Sequence, residues 1–329
     1  MKYIEEFKAF LNTFQGLEVQ DQLQQYNVFN LLNEYNYIES ERTVPDFLRY
    51  DLAAFSGVLD QVQAPASKAE AKALFEQIID GTVPCVNPAD GDYISQGDYR
   101  NMLHAILPLS LVLAHDFPAF FMPYFYRYKF KQLKQIAEAC DITLPALPKA
   151  GDLRGRCMYY WEICEAFYDF RIKYDMISIE LWAFLFYFAP MCIPMMDLSV
   201  QLPAPTNVWW IGKREGIDEY RDTTLMHIRL SARKGDVVVR YEAAPTQQIT
   251  TLWRVLTDAD TDPLDPNYSY AYIGKKSPVT PLGIAALKSD TYFAQHPLAK
   301  RRFLQADGYK LSEEDWKQLK QLLNITDSL

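Results

Sequence analysis

The chain has 329 residues, 49% hydrophobic and 14% aromatic, and carries a formal net charge of −9. That composition excludes a disordered chain and supplies apolar side chains for about two domains of ordinary size. The charge is uneven: residues 1–100 hold 16 acids and 7 bases, whereas residues 101–329 hold 26 of each, so contact with a polyanion is expected from the later part of the chain.

In chain order, residues 1–63 read as two or three helices. Phe7, Phe10, Leu11 and Phe14 follow the i, i+3, i+4, i+7 spacing of one helix face, with Gly16 as the stop. Leu31, Leu32 and Tyr35, then Phe47, Leu48, Leu52 and Phe55, repeat the pattern, with Pro45 near a helix start. Residues 64–72 form a linker entering a helix, with Ser67 as N-cap and Glu70 completing a capping box. Residues 81–98, GTVPCVNPADGDYISQGD, read as a loop. Helices are expected over 99–115, ended by Asp116-Phe117-Pro118, and over 130–140. LPALPK (144–149) is an extended connector, followed by helices over 154–174 and 178–188, the last capped by Ser178. The apolar run 177–196 contains Glu180, Pro190 and Pro194, so a buried core helix ending near Pro190 is expected rather than a membrane span.

The texture changes after Pro203. Val208-Trp209-Trp210-Ile211 reads as a strand, Gly235-Asp236 turns into Val237–Tyr241, and residues 249–256 and 270–273 give two more strands. A short helix near 282–288, a strand at Phe303-Leu304-Gln305 and a final helix capped by Ser312 and Asp315 complete the chain. The expected class is α+β: a large all-helical N-terminal part followed by a small barrel-like β domain with flanking helices. The divisions are 1–98, 99–200 and 205–329.

The chemistry-bearing residues are sparse. The five cysteines, Cys85, Cys140, Cys157, Cys164 and Cys192, have no zinc or redox spacing and read as reduced and buried in a cytoplasmic protein. The N-terminus, MKYIEEFKAF, is charged where a signal peptide needs an apolar stretch. The four histidines, His104, His115, His227 and His296, form no HExxH or HxH pair. His104 reads as a core or interface residue, and His227 and His296 have no local partner. No phosphate loop or nucleophile elbow is present, and no metal or cofactor is expected. Glu162, Glu165 and Asp169, interleaved with Arg171 and Lys173, read as a solvated charged face. The lack of a complete catalytic motif lowers the weight on catalysis without excluding it.

The C-terminal part carries the candidate site. Trp209 and Trp210 lie on one strand, Tyr241 ends the next, Trp253 and Arg254 lie on the third, and Tyr272 is on the fourth. Side chains alternate across a strand, so one tryptophan is expected to face inward and the other outward. An outward tryptophan beside an arginine is a stacking platform for a flat ring. The alternative is that both fill a small barrel core.

The succession VWWIG (208–212), KGDVVVRYE (234–242), ITTLWRV (249–255), AYIG (271–274), FLQ (303–305) and LSEEDW (311–316) resembles the EVE branch of the PUA-like superfamily over about residues 205–325. Residues 116–130, 141–171 and 180–190 resemble a helical region that precedes such a domain in uncharacterised bacterial proteins. The resemblance implies a non-catalytic reader of a modified nucleobase in DNA or RNA, within a bacterial defence or restriction system. Trp209 or Trp210 and Tyr241 would then wall the base, with Trp253 beside them, and Arg254 and Gln305 would bond its edge. Lys234, Lys275, Lys276, Lys300, Arg301 and Arg302 would meet the phosphate backbone. Two other readings stay open: a protein–protein interaction subunit whose PUA-like fold has no ligand, and an enzyme with a site between the helical and β-rich parts, drawing on Arg156, Tyr160 and Glu165.

Overall fold

The computed structural model describes residues 2–25, 59, 62–83, 98–126, 129–193, 201–213 and 223–325. Two units are distinguished, Met1–Met195 with Asp262–Pro266, and Met196–Thr261 with Asn267–Leu329. The apolar repeats expected at Leu31, Leu32, Tyr35, Phe47, Leu48, Leu52 and Phe55, the helix start at Pro45, Cys85 and most of the 81–98 loop lie outside the described residues.

The first unit is helical: α1 (Lys2–Leu11), α2 (Phe14–Gln25), α3 (Lys68–Ile79), α4 (Tyr99–Asp116), α5 (Phe130–Ala139), α6 (Leu153–Lys173), α7 (Ser178–Ala183) and α8 (Ala189–Cys192). Polar caps set several of the starts. The Ser67 hydroxyl accepts the Glu70 amide at α3, the Asp98 carboxylate accepts the Arg100 and Asn101 amides at α4, and Asp152 accepts the Gly155 amide at α6. α6 buries residues on most of its circumference, from Arg156 through Phe170, as a helix at the centre of a core does. Its Trp161 meets Phe121 edge-on at 5.5 Å, and its Tyr160 meets Phe75 at 5.4 Å. Cys140, Cys157, Cys164 and Cys192 are free thiols, and burial pushes those of Cys157 and Cys164 up to about 12. Among the described residues no single helix is long and apolar enough to cross a membrane.

Five expectations in this unit need correction. Gly16 is inside α2 rather than a stop. A Cβ there would lie 2.1 Å from the Phe10 carbonyl oxygen, so glycine permits the sharp α1–α2 junction, where the Thr13 hydroxyl accepts the Gly16 amide. The break between the helices rotates Phe14 away from the core, and it is 84% exposed. Ser178 is the first helical residue of α7, not its cap; the Glu180 carboxylate instead accepts the Ile177 amide. Pro190 does not end the helix, because a π-helical turn at Phe184–Phe188 shifts the ladder ahead of it, with the Ala189 amide bonding the Phe184 carbonyl and α8 running on to Cys192. His104 is exposed, not core.

The second unit is a curled sheet: β1 (Val208–Lys213), β2 (Thr223–His227), β3 (Val237–Glu242), β4 (Gln248–Val255), β5 (Asp260–Asp262), β6 (Asp265–Gly283) and β7 (Gln305–Leu311). The strand order is β2-β6-β4-β3-β1-β7, with β5 on β6. β1 and β3 are parallel, and the other pairs along that order are antiparallel. Helices α9 (Ile284–Ser289), α10 (Pro297–Lys300) and α11 (Glu313–Leu322) complete it, the last capped by Ser312 and Asp315 as expected. The strand expected at Phe303-Leu304-Gln305 begins only at Gln305: Arg302 and Phe303 have φ of 53° and 62°, a left-handed pair that turns the chain before β7. The 270–273 strand is the middle of the much longer β6.

Both sheet faces are buried, and this decides the fate of the tryptophan pair. One core takes Trp210, Val237, Val239, Tyr241 and Leu252 together with Leu287, Leu298 and Leu319 of the three helices. The other takes Trp209, Ile211, Val238, Trp253, Val255 and Ile273, with Ile228, Ala232 and Ala259 from loops, and contains no helix residue among the described residues. The period-2 alternation is therefore real, but neither tryptophan is outward.

Asp236 ties the start of this sheet together. It is fully buried and accepts the Trp209 indole at 2.9 Å, the Thr206 hydroxyl at 2.9 Å and the Asn207 and Arg233 amides at 3.0 and 2.9 Å. Burial alone raises its pKa, but the bonds from Trp209, Arg233, Asn207 and Thr206 outweigh that and leave the carboxyl below its ordinary value. A folded pKa below the unfolded one stabilises the fold above about pH 4, a contribution lost as pH falls through the folded pKa. Asp236→Asn keeps the shape and removes the charge. It should cost about 1.5–3 kcal/mol in urea unfolding at pH 7 and flatten the loss of stability below about pH 4. An unchanged urea midpoint and acid profile would mean the carboxylate contributes nothing to stability.

Candidate ligand-binding pocket

A cavity of about 500 Å³ opens in the second unit, lined by Trp209, Arg229, Ser231, Pro297, Leu298, Arg301, Gln305, Tyr309 and Lys310. That volume lies within the range of about 300–1,000 Å³ typical of small-molecule sites. Trp209 contributes only an edge, being 1% exposed and fixed by its bond to Asp236. Gly308, with φ of +88°, passes close to the same indole, and a Cβ there would lie 3.6 Å from it.

Two structural devices place the remaining walls. At the first, the Trp210 indole donates to the Phe303 carbonyl at 2.9 Å, and the Phe303 ring packs 5.7 Å from Trp210 and 6.1 Å from Tyr241. Gly212 faces the same turn so closely that a Cβ would sit 2.0 Å from the Phe303 oxygen. This locks the reversal that follows α10 and delivers Arg301 and Gln305 on its two sides. At the second, His296 supports Tyr309 edge-on at 5.5 Å. The His296 Nδ1 accepts the Leu298 amide, which places the ring proton on Nε2, 3.2 Å from the Asp315 carboxylate. Burial raises the Asp315 pKa, but bonds from Tyr292 and Ser312 and the neighbouring His296 outweigh it and hold the carboxyl below its ordinary value. No local spacing marks a partner for His296; Asp315 comes from α11, nineteen positions on.

The polar rim is a chain of bonds. Arg301 donates to the Gln305 side-chain oxygen at 2.5 Å, the Gln305 amide donates to Asp307, and Arg229 pairs with Asp307 at 3.3 Å while donating to the Gly308 carbonyl at 2.9 Å. Both ends of the Gln305 amide are thus engaged internally. The three cations in the lining face no lining carboxylate.

Of the residues singled out in the sequence, Trp209, Arg301 and Gln305 come together here. Trp210 and Tyr241 do not: they stack on each other at 5.8 Å in the helix-covered core, where each is at most 1% exposed, so they cannot wall a base. Trp253 is buried in the opposite core, with the Lys276 ammonium 5.0 Å from its ring. Arg254 straps the chain, donating to the Gly235 and Pro203 carbonyls at 2.8 and 2.7 Å, and does not reach the lining. Lys234, Lys275, Lys300 and Arg302 are exposed, but like Lys276 they are outside the pocket lining. The sequence reading missed Arg229, Ser231, Pro297, Leu298, Tyr309 and Lys310. For Arg229, Ser231, Tyr309 and Lys310 the signal was the charged segment 213–235, which contains the unanticipated β2, and the long extension of β7 beyond Gln305; Pro297 and Leu298, in α10, carried none.

The residues proposed for an enzymatic site are each engaged within the first unit. Arg156 donates to the Pro263 carbonyl at 2.5 Å, Tyr160 donates to the Met122 carbonyl at 2.9 Å, and Glu165 pairs with Lys68 at 3.2 Å. Asp169 joins the same lysine at 3.0 Å, so the charged face on α6 is a surface ion-pair network. Among the described residues no group of three or more His, Cys, Asp or Glu is placed to hold a metal ion.

Fold and site together define a mixed α+β chain, with a helical unit and a curled-sheet unit that carries a cation-rich pocket. No family model and no curated protein matches it. Among solved structures, it is similar to Rpa0253 from Rhodopseudomonas palustris, with 18% identity over 37% of this chain and 95% of that one, at a TM-score of 0.32. It is also similar to protein Atu2648 from Agrobacterium tumefaciens, with 13% identity over 37% of this chain and 99% of that one, at a TM-score of 0.28.

Gly212→Ala tests the first device. Its Cβ must displace the Phe303 carbonyl, and overpacking of this kind costs about 1–3 kcal/mol. The expected result is a lower urea midpoint with weakened ligand binding, because the turn bearing Arg301 moves. A variant as stable as the parent would show that the turn yields freely.

Proposed function

We propose that the second unit is a PUA-like domain of the EVE branch that binds a nucleotide and discriminates a modified base. The observation that carries this reading is the pocket itself. It combines apolar wall from Pro297 and Leu298, the ring of Tyr309 and an edge of Trp209 with three cations, Arg229, Arg301 and Lys310. A flat ring with a phosphate attached needs that pairing of stacking surface and positive charge. In this reading Tyr309 takes the wall role that the resemblance implied for Trp210 and Tyr241. In this reading the helical unit is a scaffold.

Fluorescence anisotropy with labelled single- and double-stranded oligonucleotides tests it, each carrying one 5-methylcytosine, one N6-methyladenine or no modification, at low and moderate salt. Saturable binding that prefers one modified oligonucleotide is expected. Tyr309→Ala should weaken it about tenfold or more, the loss of one base-stacking partner, while Lys234→Ala, outside the pocket, should leave the preference for the modified base intact. Absence of saturable binding to every oligonucleotide at low salt, where phosphate contacts are strongest, would sink the reading.

A further inference from the structure

The rim of the pocket narrows the ligand further, on the assumption that the unit binds nucleotides at all. A side-chain amide offers a donor and an acceptor together, whereas an arginine or a lysine offers donors alone. The one side-chain amide in the lining, Gln305, is engaged at its oxygen by Arg301 and at its nitrogen by Asp307. The groups left facing the cavity are of another kind. Lys310 is exposed and its ammonium makes no bond or ion pair among the described residues; the same holds for the hydroxyls of Ser231 and Tyr309 and for the guanidinium nitrogens of Arg301 that do not bond Gln305. These are cationic donors and hydroxyls, and none is a carboxylate.

The charges point the same way. Arg229 is neutralised by Asp307 at 3.3 Å, and Arg301 is bonded to a neutral amide. Among the described residues, the positive charges of Arg301 and Lys310 at this cavity are paired with no acid. A phosphodiester within a strand brings a single negative charge, whereas a phosphomonoester brings about −1.5 to −2 at pH 7. The planar guanidinium matches phosphate oxygens in paired bonds, and the lysine adds a point charge.

We infer that the pocket takes a nucleotide bearing a terminal phosphomonoester, with the phosphate on Arg301 and Lys310 and the ring against Tyr309, Pro297 and Leu298. Two sources carry that chemistry, a free mononucleotide and the phosphorylated end of a strand. An internal nucleotide, with its phosphate esterified twice, matches the charge less well.

Titration calorimetry on the full chain at low salt separates the possibilities. The probes are nucleoside monophosphates, the matching nucleosides, inorganic phosphate, and one oligonucleotide with its 5′ or 3′ end phosphorylated or dephosphorylated. The phosphorylated form should bind at least about tenfold tighter than its unphosphorylated counterpart, the scale of a charge-assisted contact. Lys310→Glu, a charge reversal at an exposed residue that leaves the fold intact, should abolish that advantage, and Arg301→Ala should reduce it. Binding of the mononucleotide identifies the free source; binding of the phosphorylated oligonucleotide alone identifies the strand end. Equal affinity for nucleoside and nucleotide would overturn the inference while leaving base reading in place. Inorganic phosphate binding as tightly as the nucleotide would also overturn it, because the ring would then contribute nothing. If no probe bound and the modified oligonucleotides failed too, the nucleotide reading would fall with it.

Discussion

The second unit depends on one buried negative charge. Asp236 lies where the chain enters β3, and an isolated carboxylate in that position would cost several kcal/mol. It is stable there because donors from three chain segments converge on it: Thr206 and Asn207 before β1, Trp209 within β1, and the Arg233 amide of the loop after β2. The same convergence sets the geometry around it. Gly235, with φ of +96° and Pro203 so close that a Cβ would lie 2.7 Å away, makes the turn that points the carboxylate inward. One side chain therefore fixes the entry of β1, its register beside β3 and the rotamer of the indole whose edge reaches the pocket.

The pocket lies where that anchor meets a second one. From β1, successive side chains go to opposite cores, so Trp209 and Trp210 report to different neighbours although they are adjacent in sequence. Trp209 answers to Asp236, and Trp210 answers to the Phe303 carbonyl. Each indole N–H is buried and each is satisfied, as a stable interior requires. Because the two bonds hold opposite edges of one strand's surroundings, the loop bearing Arg229 and Ser231 and the turn bearing Arg301 and Gln305 are both positioned from β1. Their approach leaves the cavity between them.

The periodic parts of this fold were legible and the conditional parts were not. Spacing alone placed the helices at Lys68–Ile79 and Glu313–Leu322 with their capping residues, and the strands around Trp209 and Val238, because both depend on neighbours three or two positions away. What a strand faces is not a local property. Alternation foretold that the tryptophans part company, yet exposure of one of them depended on whether α9, α10 and α11 cover the sheet, and that is decided about a hundred residues later. Gln305 lines the cavity, but the engagement of its amide by Arg301 and Asp307 follows from the left-handed turn at Arg302 and Phe303, for which non-glycine residues give no sequence signal. Phe14 failed for a related reason: the Thr13 cap interrupts a hydrophobic spacing that would otherwise run on.

The same long-range logic explains how a chain with no net basic character over residues 101–329 can present a positive pocket. Formal charge counts every carboxylate equally, but acids in this chain are unequally placed. Asp236, Asp262 and Asp315 are at most 5% exposed and act as acceptors for indole, hydroxyl and amide donors in the interior. Their charge is balanced against fixed dipoles at short range rather than against surface cations. Arg301 and Lys310, by contrast, are exposed and make no ion pair with an acid among the described residues. Moving acids inward as hydrogen-bond hubs leaves their formal partners outside, so a near-neutral composition and a locally cationic cavity are two consequences of one packing arrangement.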